Sequence, residues 1–392
     1  MVNAVLAPTL AAEFNLTAGG LGLLSSVYFL AFAVCQLPLG LAMDRFGPRK
    51  VNAALLLIAA LGGFWFAHAH DASSAIAARA LIGVGVCGAL MASLTAFVLW
   101  YPADRLSTLN AVAFSVGMVG AMTATVPLEM LLRVWPWREA FMLIVAATVV
   151  VSLLLWFWVP ERSARPSGET FAEQLAGLRR LMGDAAFLRL AVCLGTSQFA
   201  AVSLQTLWIA PWLRDVAGYA PAEVARGLLA VSASMIVGYL AFGRIADSLS
   251  RRGRSSLPLL AGGVGFSSLC LLLLILGVKS LVVWCLFVAS ATAVVLGYSL
   301  VSRRYPKAMA GRANTAINVF GFVGMFSGQW GIGLVLDRWP PSGSGVNAGY
   351  AAEAYPWALG LVWAVQLAGL AWMWSGRALL TRSEVNVPVR GV

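Results

Sequence analysis

Long uninterrupted apolar runs dominate the chain, and short polar breaks separate them. The runs fall at 1–13, 21–43, 51–67, 75–100, 107–131 and 139–159, then at 190–213, 224–247, 256–278, 280–302, 312–336 and 355–376. All but the first approach the roughly 20 residues a helix needs to cross about 30 Å of hydrocarbon. Only helices and closed barrels satisfy every backbone polar group inside a bilayer, and barrel strands would alternate with period two. The pattern therefore predicts an all-α integral membrane protein of about twelve transmembrane helices. These divide into a six-helix bundle over 1–159, a linker over 160–189, a second six-helix bundle over 190–376 and a tail over 377–392. Gly, Pro and charge fill the breaks, as short connections between antiparallel neighbours require.

Composition agrees. The 392 residues are 60% hydrophobic and 11% charged, with a mean hydropathy of +0.84; a soluble domain carries roughly 25% charged residues. A net charge of +11 would suggest nucleic acid if the basic residues clustered, but they are spread over short loops, so no nucleic-acid face is expected. Their distribution instead orients the chain. With the amino terminus inside, one set of loops and both tails holds 20 Lys and Arg, the other set holds 6, and Arg79 lies within a span. The positive-inside rule then puts both termini in the cytoplasm, in a multi-pass protein of the cell inner membrane with lipids as its surroundings. No cleavable signal peptide is expected ahead of the first span.

Cys35, Cys87, Cys193, Cys270 and Cys285 all lie in apolar runs without CxxC spacing and read as small packing residues. His68 and His70 share one short outer loop and read as solvated. No metal site and no cofactor is expected. In the linker, Phe171, Leu175, Leu178 and Met182 recur at helical spacing, which predicts a short helix on the inner membrane surface.

An internal repeat organises the two halves. Gly40-Leu-Ala-Met-Asp44-Arg45-Phe-Gly47-Pro-Arg49-Lys50 follows the second span; Gly243-Arg-Ile-Ala-Asp247, with Arg251 and Arg252 beyond it, follows the eighth. Asp247 lies 203 positions after Asp44, and Pro211 lies 203 after Pro8. Tyr101-Pro102 and Tyr305-Pro306 repeat at 204. Three landmarks in nearly one register indicate two parallel repeats, one of the known transporter plans.

Gly40 to Lys50 resembles the signature loop of the major facilitator superfamily, G-x-x-x-D-R-x-G-x-[RK]-[RK]. Arg79-x-x-x-Gly83-x-Gly85 resembles that superfamily's second motif, and Trp137-Arg138-x-x-Phe141 and Val159-Pro160-Glu161 are also similar. The resemblance covers essentially the whole chain. It implies a monomeric secondary transporter whose two bundles rock about a central small-molecule site, open alternately to each side. It also implies that Asp44, Arg45 and Arg49 latch the halves in the outward-facing state, with Gly243, Asp247, Arg251 and Arg252 closing the equivalent seam. On physical grounds Gly40 permits close helix approach, and Asp44 can accept from a facing helix terminus and pair with an arginine.

Arg79 is the basic residue well inside a span, where a charge costs about 2.5–3.5 kcal/mol on insertion scales and needs a partner or water. It is read as a coupling or anion-binding residue, with Glu129 as its expected partner and the proton-site candidate; the alternative is a side chain snorkelling to the surface. If the family plan holds, spans 1, 2, 4, 5, 7, 8, 10 and 11 line the cavity. Their polar and aromatic residues then include Tyr28, Gln36, Asn110, Met118, Gln198, Gln205, Trp208, Tyr239, Tyr298, Asn314, Asn318, Gln329 and Trp330. Such a lining suits a neutral or weakly anionic organic solute, although each residue could equally join helices.

Two departures matter. Span one is short, and by the repeat about a dozen residues completing it are missing: either they lie upstream of Met1, the favoured expectation, or the helix is truncated. The Gly-Pro motif of drug antiporters is reduced to Gly117, Gly120 and Pro127. Proton-coupled uptake of a small organic solute is the leading expectation. Efflux by the same fold, or a non-transporting receptor, are the alternatives. A membrane enzyme would need an intramembrane His, Asp or Glu cluster that the spans do not offer.

Overall fold

The computed structural model describes residues 2–101, 106–124, 126–160, 176, 179–305, 307–340, 342 and 349–381. Among them every regular element is helical, apart from one isolated antiparallel bridge between Ser342 and Gly349. Ten helices are long and apolar enough to cross a membrane. Span one, Val2–Glu13, is 12 residues long, and span five divides into Leu106–Thr123 and Val126–Leu132. The expected helix over the linker falls largely outside the described residues, as does most of the tail.

Local chemistry explains where the helices begin. Thr17 caps span two (Ala18–Phe46) by accepting from the Gly20 amide at 3.1 Å. Asp71 caps span four by accepting from the Ser74 amide at 2.8 Å. The Ser73 hydroxyl and the Ser74 amide hold the Asp71 carboxyl below the usual carboxylate range. Asp184 caps the helix Ala185–Ser203 of span seven. Between span two and span three (Pro48–Ala67), Gly47 has φ 82°, a conformation that explains the glycine in the signature loop.

The repeat reappears as matched interruptions. Span four breaks at Cys87 and Gly88 between Ala72–Val86 and Ala89–Trp100. Span ten breaks into a 3-10 turn, Thr292–Val295, between Leu281–Ala291 and Leu296–Arg304. Span seven carries a π-turn at Leu204–Trp208 before Ile209–Asp215, the kind of bulge found at functional sites. Span eight is Pro221–Arg251, span eleven Lys307–Leu336 and span twelve Ala354–Ser375.

Each half has an aromatic core towards its arginine-poor end. Phe66 packs against Trp137 and Phe141 at centroid distances of 5.6 and 5.0 Å. Trp284 packs against Trp212 and Phe287 at 5.3 and 5.8 Å. Large apolar side chains also face outward, among them Phe157 and Trp158 at 72% and 80% exposure. Lipid tails, rather than water, suit such a surface.

Candidate functional site

The halves meet along spans two and eleven, which share the most extensive helix contact in the molecule. At the arginine-poor end, small residues let the backbones touch. A Cβ on Gly22 would lie 2.6 Å from the Gln329 carbonyl oxygen, and one on Gly333 would collide with the Ala18 carbonyl. The Asp337 carboxylate, just past span eleven, accepts from the Ala18 and Gly19 amides at 2.7 and 2.8 Å. Further along, Phe322 meets Phe32 and Phe29 at 4.1 and 6.3 Å. Fourteen residues separate Ala18 from Phe32, so the seam runs about 20 Å along the helix. Near the arginine-rich end, a Cβ on Gly40 or Gly243 would meet nothing within 4 Å. Among the described residues the halves are tightly joined at the arginine-poor end, while Gly40 and Gly243 face open space at the other.

Around the closed end lie two cavities. One, of about 690 Å³, is lined by Pro8, Asn15, Pro211, Arg214, Asp337 and Tyr350 among others. A cleft of about 120 Å³ lies between Val5, Pro8, Glu129, Pro211, Arg214 and Leu228. Pro8 and Pro211, the repeat landmarks of spans one and seven, thus share both walls.

The signature-loop residues occupy the arginine-rich end. Arg45 is exposed, with its guanidinium 5.4 Å from the Phe46 ring, and Arg49 donates to the Val159 carbonyl at 2.8 Å, tying span three to the end of span six. Asp247, Arg251 and Arg252 are exposed. The Asp44, Asn110 and Met118 side chains lie outside the described residues.

The expected pairing of Arg79 with Glu129 is corrected. Glu129 accepts from Arg133 at 2.8 Å, because Arg133, the residue just past the helix Val126–Leu132, follows it by four positions, about one helical turn. Arg79 has no ion-pair partner among the described residues. Its guanidinium lies 5.7 Å from the rings of both Tyr28 and Phe66, and its Nε is buried without a hydrogen bond. A cation held by aromatic faces stays available to an anion.

The other cavity candidates divide into two groups. Trp208 is buried and donates to the Gln329 carbonyl at 3.0 Å, while Gln329 Nε2 donates to Thr206 at 2.6 Å; both join span seven to span eleven. Gln205 is buried in the π-turn, and Gln36 is buried with its Nε2 unpaired. By contrast, the half-buried Tyr298 donates to Asn318 at 2.7 Å, with the exposed Tyr239 nearby. Trp330, also exposed, packs on Phe326 at 5.6 Å.

Sequence reasoning missed the acids that end spans at the arginine-poor side. Glu13 takes the Arg138 guanidinium and the Trp137 indole, at 2.7 Å for the indole, joining spans one and six. Asp215 takes Arg214, the Tyr350 amide and the Tyr355 hydroxyl, joining spans seven and twelve. An acid closing an apolar run was the available signal, and Glu13 and Asp215 nearly share the repeat offset.

Comparison with known proteins agrees with this architecture. The sequence profile of the Major Facilitator Superfamily matches residues 1–329. The chain is 24% identical over 279 residues to the probable sulfoacetate transporter SauU of Cupriavidus necator, covering 68% of this chain and 64% of that one. It is 27% identical over 251 residues to a chloramphenicol resistance protein of Streptomyces lividans, covering 62% of this chain and 61% of that one. The chain thus spans less than two thirds of either relative's length. A bacterial homologue of the human lysosomal transporter Spinster, in an inward-facing and unoccupied conformation, superposes with a TM-score of 0.80 at 17% identity, covering 99% of this chain and 95% of that one.

Proposed function

Because the chain belongs to the Major Facilitator Superfamily, and is thus a membrane transporter and not an enzyme, we propose that it takes up a small organic anion by alternating access, driven by protons. The observation that carries the anion is Arg79, a cation inside a span, flanked by Tyr28 and Phe66 and without an ion-pair partner among the described residues. A bound carboxylate or sulfonate would relieve the cost of that charge. The relative whose name gives sulfoacetate supports the same class. Tyr298, Asn318 and Tyr239 would supply hydrogen bonds from the second half, and Gln36 and Gln205 buried amides.

In this reading the arginine-rich end is cytoplasmic, following the 20-to-6 bias in Lys and Arg, and the described conformation is inward-open. Gly40 and Gly243, now facing open space, would seat the halves against each other when the inner end closes, with Asp44, Arg45, Asp247, Arg251 and Arg252 latching it. Glu129, on the cleft between the halves, is a carboxylate placed to take part in coupling.

The test is a thermal-shift screen of the purified protein against short carboxylates, sulfonates, sugars, vitamins and lipophilic toxicants, followed by uptake in proteoliposomes under an imposed pH gradient. A ligand at about 100 times its Kd stabilises the folded state by about 2.7 kcal/mol. Anions should shift the wild type and fail to shift Arg79→Gln. Stabilisation by lipophilic compounds alone would favour efflux, the second reading, which the chloramphenicol resistance relative supports.

A further inference from the structure

We propose that Gln36 and Asn318 form a clamp of two amides across the seam, in which both side chains donate to one acceptor oxygen of the transported solute. The proposal rests on the transport reading above and adds a contact distinct from the one at Arg79.

Register along the seam sets the two residues opposite each other. Phe32 of span two meets Phe322 of span eleven at 4.1 Å, and Gly22, earlier on span two, meets Gln329, later on span eleven, so the helices run antiparallel. One turn on from Phe32 is Gln36, and one turn back from Phe322 is Asn318. Residues four apart share a helix face, so each amide extends its own side of the same seam. A further turn along span two is Gly40, whose Cβ would meet nothing within 4 Å. The pair therefore sits between the aromatic contact and a position that faces open space. The repeat marks the same level in the second half: Tyr239, 203 positions after Gln36, lies close to Tyr298.

Both amides hold a donor without a partner. Gln36 is 4% exposed, and its Nε2 is buried with no hydrogen bond among the described residues. A buried donor left unsatisfied is destabilising, and an acceptor brought to it removes that cost. Asn318 is half-buried, and its Oδ1 accepts from the Tyr298 hydroxyl at 2.7 Å. That bond orients the amide and leaves Nδ2 as the donor with no partner among the described residues. Two donors cannot bond each other, but an oxygen with two lone pairs satisfies both. Carboxylate, sulfonate and carbonyl oxygens meet that need, and an ammonium group does not. Because one donor belongs to each half, a solute held here bridges the seam.

The experiment measures binding by the full-length protein in nanodiscs. Acetate, succinate, sulfoacetate and benzoate are the anionic probes, and nicotinamide is a neutral carbonyl probe. Gln36→Met and Asn318→Ala should each weaken the tightest of these at least about tenfold, the loss of one hydrogen bond to a strong acceptor. The double variant should fall well short of the hundredfold loss that two independent contacts would give, because both donors serve one group. Without any probe, Gln36→Met should melt no lower than the wild type, since it removes an unpaired donor and keeps the volume. Equal binding by wild type and both single variants overturns the clamp. So does a fully multiplicative double variant, a lowered melting temperature for unliganded Gln36→Met, or a failure of every probe to bind. Binding of nicotinamide alone, lost in Gln36→Met, would uphold the clamp and overturn the anion reading. Anion binding lost in Arg79→Gln but kept in Gln36→Met would overturn the clamp alone.

Discussion

Replacing Gly22 by alanine should open the closed end of the molecule. The new Cβ would sit 2.6 Å from the Gln329 carbonyl oxygen and 3.1 Å from the Trp330 Cα. Close carbon–oxygen contacts between packed elements settle at about 3.3 Å or more, so the seam is short by roughly 0.7 Å. Both obstacles are backbone atoms of span eleven, and neither can rotate aside. Overpacking of this kind costs about 1–3 kcal/mol, and the cost falls on the closed arrangement alone. The equilibrium should then move about 5- to 150-fold towards separation of spans two and eleven. The gain in helix propensity, up to about 1 kcal/mol for Gly to Ala, applies to both arrangements and cancels. The assay is the distance between spin labels at Val134 and Lys279. Gly331→Ala, on the facing span eleven, is the control, since its Cβ would meet nothing within 4 Å. Indistinguishable distance distributions for Gly22→Ala, Gly331→Ala and wild type would refute the reasoning.

Three further outcomes are expected. Arg79→Gln should raise the KM for an anionic solute at least about tenfold, the loss of a charge-assisted contact, with Arg79→Lys less affected; folding should survive, since a membrane-embedded charge is removed, and circular dichroism checks this. Glu129→Gln breaks an i,i+4 ion pair whose Arg133 partner is 61% exposed, so thermal denaturation should stay within about 0.5 kcal/mol of wild type, and a larger loss would mean that the carboxylate does more than pair. Asp184 is partly buried, which alone would raise its pKa, but the Tyr305 hydroxyl, the Ala186 amide and Arg304 outweigh this and hold it low. Its folded value lies below the unfolded one, so its contribution is complete above about pH 4 and lost as pH falls through the folded value. Asp184→Asn should therefore flatten the acid limb of a melting-temperature profile, and a limb as steep as wild type would contradict the pairing.

Sequence by itself determined much of the architecture. Continuous apolar runs have one solution in a bilayer, and the observed helices match the predicted spans to within about five residues. The repeat was equally legible, because helices of similar length and matched breaks need similar residues at fixed offsets; even the interruptions at Gly88 and Thr292 keep the 204-residue register. Gly47 was readable as a turn for the same local reason. Pairing between helices was not. Arg79 and Glu129 were matched as the charges available inside the membrane, but an arginine one turn from Glu129 was closer than any partner on another span. Trp208 and Gln329, which read equally as cavity residues or as helix joiners, hydrogen-bond span seven to span eleven, Trp208 from within the π-turn. Asp337 lies more than 300 positions from the amides it caps. Periodicity reports which face of a helix is apolar, but the partner across a seam depends on how two bundles are docked. That docking is set by contacts hundreds of residues apart in sequence, and only the tertiary structure shows which they are.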